Sequence, residues 1–236
     1  MQFLDALTAQ SFLPALIILA GLSYLQYLWG RRANLSLFQQ AAREMERALQ
    51  PEDQSYTWIG GFVGFRADYV LHHGHLKKAE ATLTALPRHS LLYLPLSWAW
   101  RHSDSLYLLL RPERPLRGRA HLYRVGPGLP RPRIQNADQL KSERLAVEGR
   151  TFELRYESHA RKAFLRDLLV AVQAADDPDG SPSSGARALD ALQHLSINAE
   201  EGALYCRCIP RSQAVEPLVK ALVQGLADYC SRRDAV

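Results

Sequence analysis

The sequence is poor in cysteine and in the motifs that mark common enzymes. Three cysteines occur in 236 residues, and so few, in odd number, exclude a disulfide scaffold and are typical of a reducing, cytosolic compartment. The chain has no GxSxG and no HExxH pattern, and no Lys-Ser/Thr follows Gly60, Gly61 and Gly64 to complete a phosphate loop. These absences leave no positive sequence support for an enzyme, and no catalytic or cofactor-binding residue is predicted.

The excess of basic over acidic residues is also modest. The net charge is +5, which fits anionic partners such as lipid headgroups or RNA but is also common among membrane proteins with no affinity for polyanions. Charge alone therefore does not choose a partner. No internal repeat and no heptad array is present, and we predict neither a cofactor nor DNA among the partners.

Long apolar runs are absent except at the N-terminus. The run from Phe12 to Trp29 contains no charge and is closed by Arg31 and Arg32, and with the apolar residues before it reaches the roughly 20 residues that cross a bilayer. The alternative is a hydrophobic helix packed on its own domain. The predicted anchor residues are Phe12, Leu16, Ile17, Ile18, Leu19, Leu22, Leu25, Leu28, Trp29, Arg31 and Arg32.

The charges around this run predict its orientation. The leader holds Asp5 and no basic residue, which differs from a secretory signal peptide. Because basic residues beside a span tend to stay in the cytoplasm, we expect the N-terminus outside and the C-terminal body in the cytoplasm. The membrane would be the plasma membrane in a prokaryote or the endoplasmic reticulum in a eukaryote.

The rest of the chain predicts one α+β domain. Apolar residues from Leu35 to Leu49 recur at helical spacing, so the transmembrane helix should continue into an amphipathic one. Strands and helices are grouped, which favours a two-layer domain of mainly antiparallel sheet with packed helices. The predicted parts are the anchor 1–32, the juxtamembrane helix 33–50 and the domain 51–236 with a flexible loop 176–186; strands are expected at 56–71, 105–110, 119–125, 144–156 and 203–209, and helices at 160–174 and 214–229.

Two groups of side chains could in principle bind a metal, although no metal-binding residue is predicted. His72 to His75 lack a partner at zinc spacing, so a polar turn between a strand and a helix is favoured. Cys206 and Cys208 should point to one face of a strand and could share a metal with Cys230. Buried free cysteines acting as small hydrophobes are the favoured interpretation.

A second apolar segment, Leu91 to Trp100, is too short to span a bilayer. Its length suits either a buried core element or a segment lying in the membrane interface, and its flanking arginines agree with the second alternative. The residues concerned are Arg88, Leu91, Leu92, Tyr93, Trp98, Trp100 and Arg101.

A run of arginines follows, interleaved with proline and glycine. A cationic hairpin edge or loop of this kind could contact lipid headgroups or ribosomal RNA, or it could be a solvated edge whose charges deter sheet-to-sheet pairing. The predicted contact residues are Arg111, Arg114, Arg117, Arg119, Arg124, Arg131 and Arg133.

The order of these parts resembles the calumin family, the coiled-coil domain proteins of the endoplasmic reticulum in the PAT complex of the multipass translocon. The resemblance implies a membrane-anchored cytosolic domain that assists insertion or assembly of multipass membrane proteins near the ribosome, with no catalytic residues. It is carried by the anchor and amphipathic helix, Leu83 to Leu92 (LTALPRHSLL), Asp104 before the strand Leu106 to Leu110, Leu192 to Ile197, Ala203 to Pro210, and the helix from Gln213 to Tyr229.

The chain departs from that family in lacking its acidic luminal region and charged C-terminal coiled coil, so calcium association and a ribosome contact through that tail are not expected. A short prokaryotic relative would fit this pattern. The alternatives are an anchored lipid-interacting or scaffold domain and a membrane-tethered hydrolase or metal enzyme. The oligomeric state is left open.

Overall fold

A computed structural model describes residues 9–72, 75–91, 93, 103–176 and 187–234 of the chain. Predicted residues Leu92, Trp98, Trp100 and Arg101 lie outside this part, as does the expected flexible loop except for Asp176. Within this part the helices include α1 (Ala9–Leu49), α2 (His159–Ala175), α3 (Ala188–Ala191) and α4 (Val215–Asp234), with a 3₁₀ helix at Ala137–Gln139.

Nine strands form a single sheet in which every neighbouring pair is antiparallel, in the order β1-β2-β3-β4-β9-β8-β5-β7-β6. The late hairpin β8-β9 is inserted between β4 and β5, at the centre of the sheet. The strands are β1 (Asp53–Ile59), β2 (Gly64–Val70), β3 (Leu76–Thr84), β4 (Ser105–Pro112), β5 (Ala120–Val125), β6 (Lys141–Val147), β7 (Arg150–Tyr156), β8 (Leu192–Asn198) and β9 (Ala203–Cys208).

The long helices cover one face of this sheet, which confirms the predicted α+β architecture. Successive side chains of a strand point to opposite faces, and in β4 Leu106, Leu108 and Leu110 are buried beneath the helices. Tyr107 and Leu109 lie on the opposite face, which none of the described helices covers and which we call the open face, and they are partly exposed. The core therefore fills the space between the sheet and the helix layer.

Helix α1 combines two different environments along one continuous helix. Its N-terminal part exposes large apolar side chains such as Ile17 and Leu25, which are 64% and 62% exposed. Its C-terminal part buries Phe38, Met45 and Leu49 in the core of the domain. The anchor and the amphipathic helix predicted from the sequence thus form one element, with no break between them.

Helix α4 lies between α1 and α2 and holds the layer together. The buried carboxylate of Glu44 in α1 accepts hydrogen bonds from the backbone N–H groups of Gln213, Val215 and Glu216 at 2.9, 3.0 and 3.1 Å. These groups lie at the N-terminus of α4, where N–H groups lack helical partners and negative charge is favoured. The first and last helices of the chain are therefore joined by one side chain.

The segment His72 to His75 corrects one expectation. It connects β2 to β3, two antiparallel strands, rather than a strand to a helix. The alternation of buried and less buried residues from Leu76 to Thr84 has the period of a strand. Cys206 and Cys208 are buried on the helix-covered face and Cys230 is buried in α4, which confirms their role as small core residues.

Candidate functional site

A buried polar network lies where α1 leaves the domain. The Asn34 amide donates to the carbonyl oxygens of Phe62 and Leu86, both at 2.9 Å, and its oxygen accepts from Arg88 Nη1 at 2.9 Å. Arg88 in turn makes two hydrogen bonds to Asp104, at 2.9 and 2.5 Å. Because these donors and acceptors are mutually satisfied, the loops after β1 and β3 are fixed against the helix.

The segment around Arg88 touches α1 at the edge of its exposed apolar part. Gln26 Nε2 donates to the Arg88 carbonyl oxygen at 2.7 Å. A Cβ atom at Gly30 would lie 2.2 Å from the Arg88 carbonyl carbon, so this close approach requires glycine. Leu91 and Tyr93, at the start of the predicted interfacial segment, are 42% and 64% exposed.

The turn between β1 and β2 meets α1 at the same level. The Arg31 guanidinium lies over the Phe62 ring, 4.5 Å from its centroid. Trp58 in the adjoining strand is 59% exposed and Trp29 on the helix 63% exposed. Trp58 packs on the Phe38 ring, with centroids 5.8 Å apart, about two turns further along α1. We use the name aromatic collar for the aromatic side chains at this end of the domain: Trp29, Trp58, Phe62 and Tyr93.

The predicted run of arginines is divided between the two ends of the sheet. Strand β4 begins beside Asp104 at the collar and carries Arg111 to the far end, where its guanidinium pairs with Glu80 at 3.1 Å and Glu201 at 2.5 Å. Strand β5 runs the opposite way, so Arg119 lies at the far end and Arg124 at the collar end. Arg114, Arg117, Arg131 and Arg133 are exposed in the loops before and after β5.

The open face of the sheet holds a cavity of about 780 Å³ at the collar end. It lies between the sheet and the loop that follows β5, and no carboxylate occurs among its described lining residues. That lining is made of Thr84, Ser103, Ser105, Tyr107, Arg124, Gly128, Leu129, Pro130, Arg131, Pro132, Gln193, His194, Arg207 and Ile209.

Arg207 stands at the centre of this wall. Its position in β9 is paired with Tyr107 of β4 on one side and His194 of β8 on the other. The guanidinium carbon lies 5.7 Å from the Tyr107 ring centroid, and Nη2 donates to Ser105 Oγ at 3.2 Å. Beyond His194 the His121 ring is stacked on it, with centroids 5.6 Å apart.

Several polar atoms in this wall are buried without a hydrogen-bond partner among the residues that the structure describes. They are Nε2 of Gln193, Nε2 of His194, Nε of Arg207 and Nδ1 of the adjoining His121. Most buried polar atoms in proteins are paired, and four such atoms gathered on one sheet face indicate groups that water or a bound molecule completes.

The two histidines are neutral near pH 7. Burial, followed by the charges of Arg119 and Arg155, lowers the pKa of His121 to about 4. Burial, followed by His121 and Arg207, lowers the pKa of His194 to about 3. The positive charge of the cavity therefore comes from its arginines.

Two of the three lining arginines are partly balanced by acids outside the lining. Arg124 Nη1 lies 3.9 Å from Asp190 Oδ1. Arg131 also lines a second, smaller cavity with Glu153. Burial alone would raise the pKa of Glu153, but hydrogen bonds from Tyr123 and Arg155 and the charges of Arg155 and Arg131 hold it below its usual value. Arg207 has Ser105 as its hydrogen-bond partner and no ion pair among the residues that the structure describes.

Sequence reasoning missed Arg207, His194 and the polar network of Asn34 and Asp104. The alternation that places Cys206 and Cys208 on one face of β9 also places Arg207 on the other face. The sequence does not indicate which strands flank β9. Its partner β8 immediately precedes it in the chain, but its other partner, β4, lies far earlier in the sequence.

The metal-enzyme alternative receives no support from the described part of the chain, in which no three His, Cys, Asp or Glu side chains are grouped as metal ligands. His75 Nε2 lies 3.3 Å from Ser231 Oγ, and His73 lies outside that part. No family model and no curated protein matches this chain.

Proposed function

We propose that this chain is a single-pass membrane-anchored binding protein that assists insertion or assembly of multipass membrane proteins near the ribosome and translocon. The observation that supports anchorage is α1, whose N-terminal part is long and apolar enough to span a membrane and is almost entirely unburied. Exposing such a surface to water is unfavourable, whereas lipid would cover it.

The continuity of α1 supports a domain that works at the membrane surface. The helix passes from its exposed part into the core within a few turns, and the Asn34 network fixes two loops to it. Since no linker intervenes, the domain would move with the anchor. The collar end of the sheet would then face the bilayer, with the cavity close to it.

The aromatic collar favours direct lipid contact as a second candidate function. Tryptophan and tyrosine are enriched at membrane interfaces because their rings are apolar while their N–H and O–H groups remain hydrated. Trp29, Trp58 and Tyr93 are mostly exposed. Trp29 lies two residues before Arg31, and Trp58 packs on Phe38 about two turns further along α1. A lipid-interacting or scaffold domain would need this contact but no ribosome.

Anchorage is tested by alkaline extraction of membranes that contain the full chain. Substitution of both Leu19 and Leu22 by Arg places two charges in the apolar part, each costing about 3 kcal/mol at the centre of a span. Both side chains are more than half exposed, so the domain should still fold, and we expect release into the soluble fraction. The control Leu19→Ile should remain in the membrane; retention of the double arginine variant would contradict anchorage.

The biogenesis role is tested by chemical cross-linking in native membranes, with the full chain tagged at its C-terminus. We expect ribosomal proteins near the exit tunnel and an insertase or translocon subunit among the cross-linked partners. Recovery of membrane partners without these would overturn the role and leave the lipid-contact function.

Ribosome binding by the detergent-solubilised chain should weaken with salt if arginines contact RNA. Substituting Arg117, Arg119 and Arg133 by Ser should flatten the salt dependence by about one unit of slope per lost phosphate contact. Changing Arg43, Arg166 and Arg211 to Ser removes the same charge from other surfaces and serves as the control. An unchanged slope in the first variant would exclude these three arginines as RNA contacts.

A further inference from the structure

We infer that the cavity on the open face of the sheet is a binding site for a phosphate ester, held chiefly by Arg207 and Arg131. This inference goes beyond the proposed function, which requires no small-molecule site. The phosphate group could belong to a lipid headgroup or to a soluble metabolite.

The described lining of the cavity is cationic and suits an anion. Three arginines meet in the cavity, and no carboxylate lies among its described lining residues. A guanidinium presents its N–H groups as a planar fork that fits two oxygens of a phosphate. Hydroxyl groups of Thr84, Ser103 and Ser105 supply further donors for the remaining oxygens.

The wall of the cavity also contains buried polar atoms that lack hydrogen-bond partners among the described residues. Gln193 Nε2, His194 Nε2 and Arg207 Nε are buried and have no hydrogen-bond partner in the described part of the chain. All three residues line the same cavity. Such unpaired groups carry a desolvation cost, and a small shift of the wall around a bound anion would provide acceptors for the N–H groups among them.

The volume of the cavity and the apolar part of its lining favour an organic phosphate. A volume of about 780 Å³ lies in the range of small-molecule sites and exceeds that of a phosphate ion. The ring of Tyr107 and the side chains of Leu129 and Pro130 give the cavity an apolar part. An organic phosphate, with its ester group on this part and its phosphate on the arginines, fits better than an inorganic ion.

The position of the cavity makes a lipid source reachable. Thr84 and Ser105 in its lining are paired residues at the strand ends next to Asp104 and Arg88. The Arg88 carbonyl contacts Gln26, near the C-terminal end of the apolar part of α1. Only this lipid source depends on the proposed anchorage. A soluble phosphate ester could bind whether or not α1 spans a membrane.

The test is calorimetric titration of the full chain in neutral maltoside micelles with inorganic phosphate, glycerol 3-phosphate and succinate. We expect glycerol 3-phosphate to bind more tightly than inorganic phosphate, and succinate to bind weakest. Arg207→Gln and Arg131→Gln should each weaken glycerol 3-phosphate by about tenfold or more, and Arg207→Lys by less. Arg166→Gln, an exposed arginine on α2, removes the same charge and should not change the affinity.

The source is identified by repeating the titration in nanodiscs of phosphatidylcholine with or without phosphatidic acid. Loss of glycerol 3-phosphate binding when phosphatidic acid is present assigns the site to a lipid headgroup. Unchanged binding assigns it to a soluble ester.

Absence of measurable binding to either phosphate, tighter binding of succinate, or equal affinities in the wild-type chain and Arg131→Gln would overturn the inference. Arg131 is exposed, so its variant remains informative even if Arg207→Gln, which removes packing on Tyr107, fails to fold.

Discussion

The two faces of the sheet are built from different chemistry on the same strands. In β9, Cys206 and Cys208 are buried beneath the helices, while Tyr205 and Arg207, which alternate with them along the strand, lie on the open face. The side chains on the covered face are mainly apolar and pack against the helices. The open face instead carries aromatic, histidine and arginine side chains with several unpaired polar atoms. Stability should therefore depend mainly on the first face, and recognition on the second.

The covered face should show the largest loss of stability. Leu222 in α4 is fully buried in the core, and Leu222→Ala should lower the free energy of unfolding by about 2 to 5 kcal/mol through lost burial and a residual cavity. Urea unfolding of the detergent-solubilised chain measures this. Val170, 62% exposed on α2, is the control, and Val170→Ala should change stability by less than about 0.5 kcal/mol. Similar losses in both variants would contradict the assigned core.

The Glu44 contact should contribute less. Glu44→Ala removes the acceptor for three N–H groups of α4 and should cost about 1 to 3 kcal/mol, because buried donors are left unpaired. Glu44→Gln keeps one oxygen and should cost less. The exposed Glu200 is the control, since Glu200→Ala removes a carboxylate without such contacts among the described residues. Equal unfolding midpoints for Glu44→Ala and the wild-type chain would contradict the contact.

The open face should make stability depend on pH. In the unfolded chain each histidine titrates near 6.5, whereas in the folded chain the pKa values of His121 and His194 are about 4 and about 3. Below 6.5 the unfolded state binds more protons, so stability falls as the pH falls toward the folded values. The loss should be about 1 kcal/mol per histidine between pH 6.5 and about pH 5.5.

His194→Gln removes one of these titrating groups and should reduce that slope, measured as the urea midpoint at each pH. Val170→Ala, at an exposed position, keeps every histidine; it is the control and should leave the slope unchanged. A wild-type midpoint that stays constant over this interval would show that the histidines are hydrated or paired.

The smallest effect is expected from the far end of the open face. Burial alone would raise the pKa of Glu80, but hydrogen bonds from Arg111 and Lys78 lower it. A double-mutant cycle with Arg111→Ala and Glu80→Ala should give a coupling of about 0.2 to 1 kcal/mol, since solvent screens surface pairs. The same cycle in high salt should give less. A coupling well above this range would show that the pair is buried by something else.

Local patterns predicted most elements of the fold. The alternation in β4, β5 and β9 and the helical spacing from Leu35 to Leu49 were sufficient to place those elements within a few residues. Strand β3 was missed because His72 to His75 was interpreted as the end of a strand before a helix. The two-layer architecture followed from the grouping of strands and helices.

The cavity could not be predicted, since it joins residues from β3, β4, β8, β9 and the loop after β5. Arg124 and Arg131 were identified as cationic contacts, but Arg207 was not, because it lies far from that run in the sequence. The run itself was treated as one surface, whereas the opposite directions of β4 and β5 place Arg111 and Arg124 at opposite ends of the sheet.

The sequence by itself determined what depends on near neighbours: an apolar run that favours lipid, helices and strands with their buried sides, and cysteines suited to a core. Only the tertiary structure decided what depends on long-range pairing. Inserting β8 and β9 between β4 and β5 brings Arg207 beside Tyr107 and His194. Periodicity fixes the face on which a side chain lies, but the order of strands decides which side chains share that face.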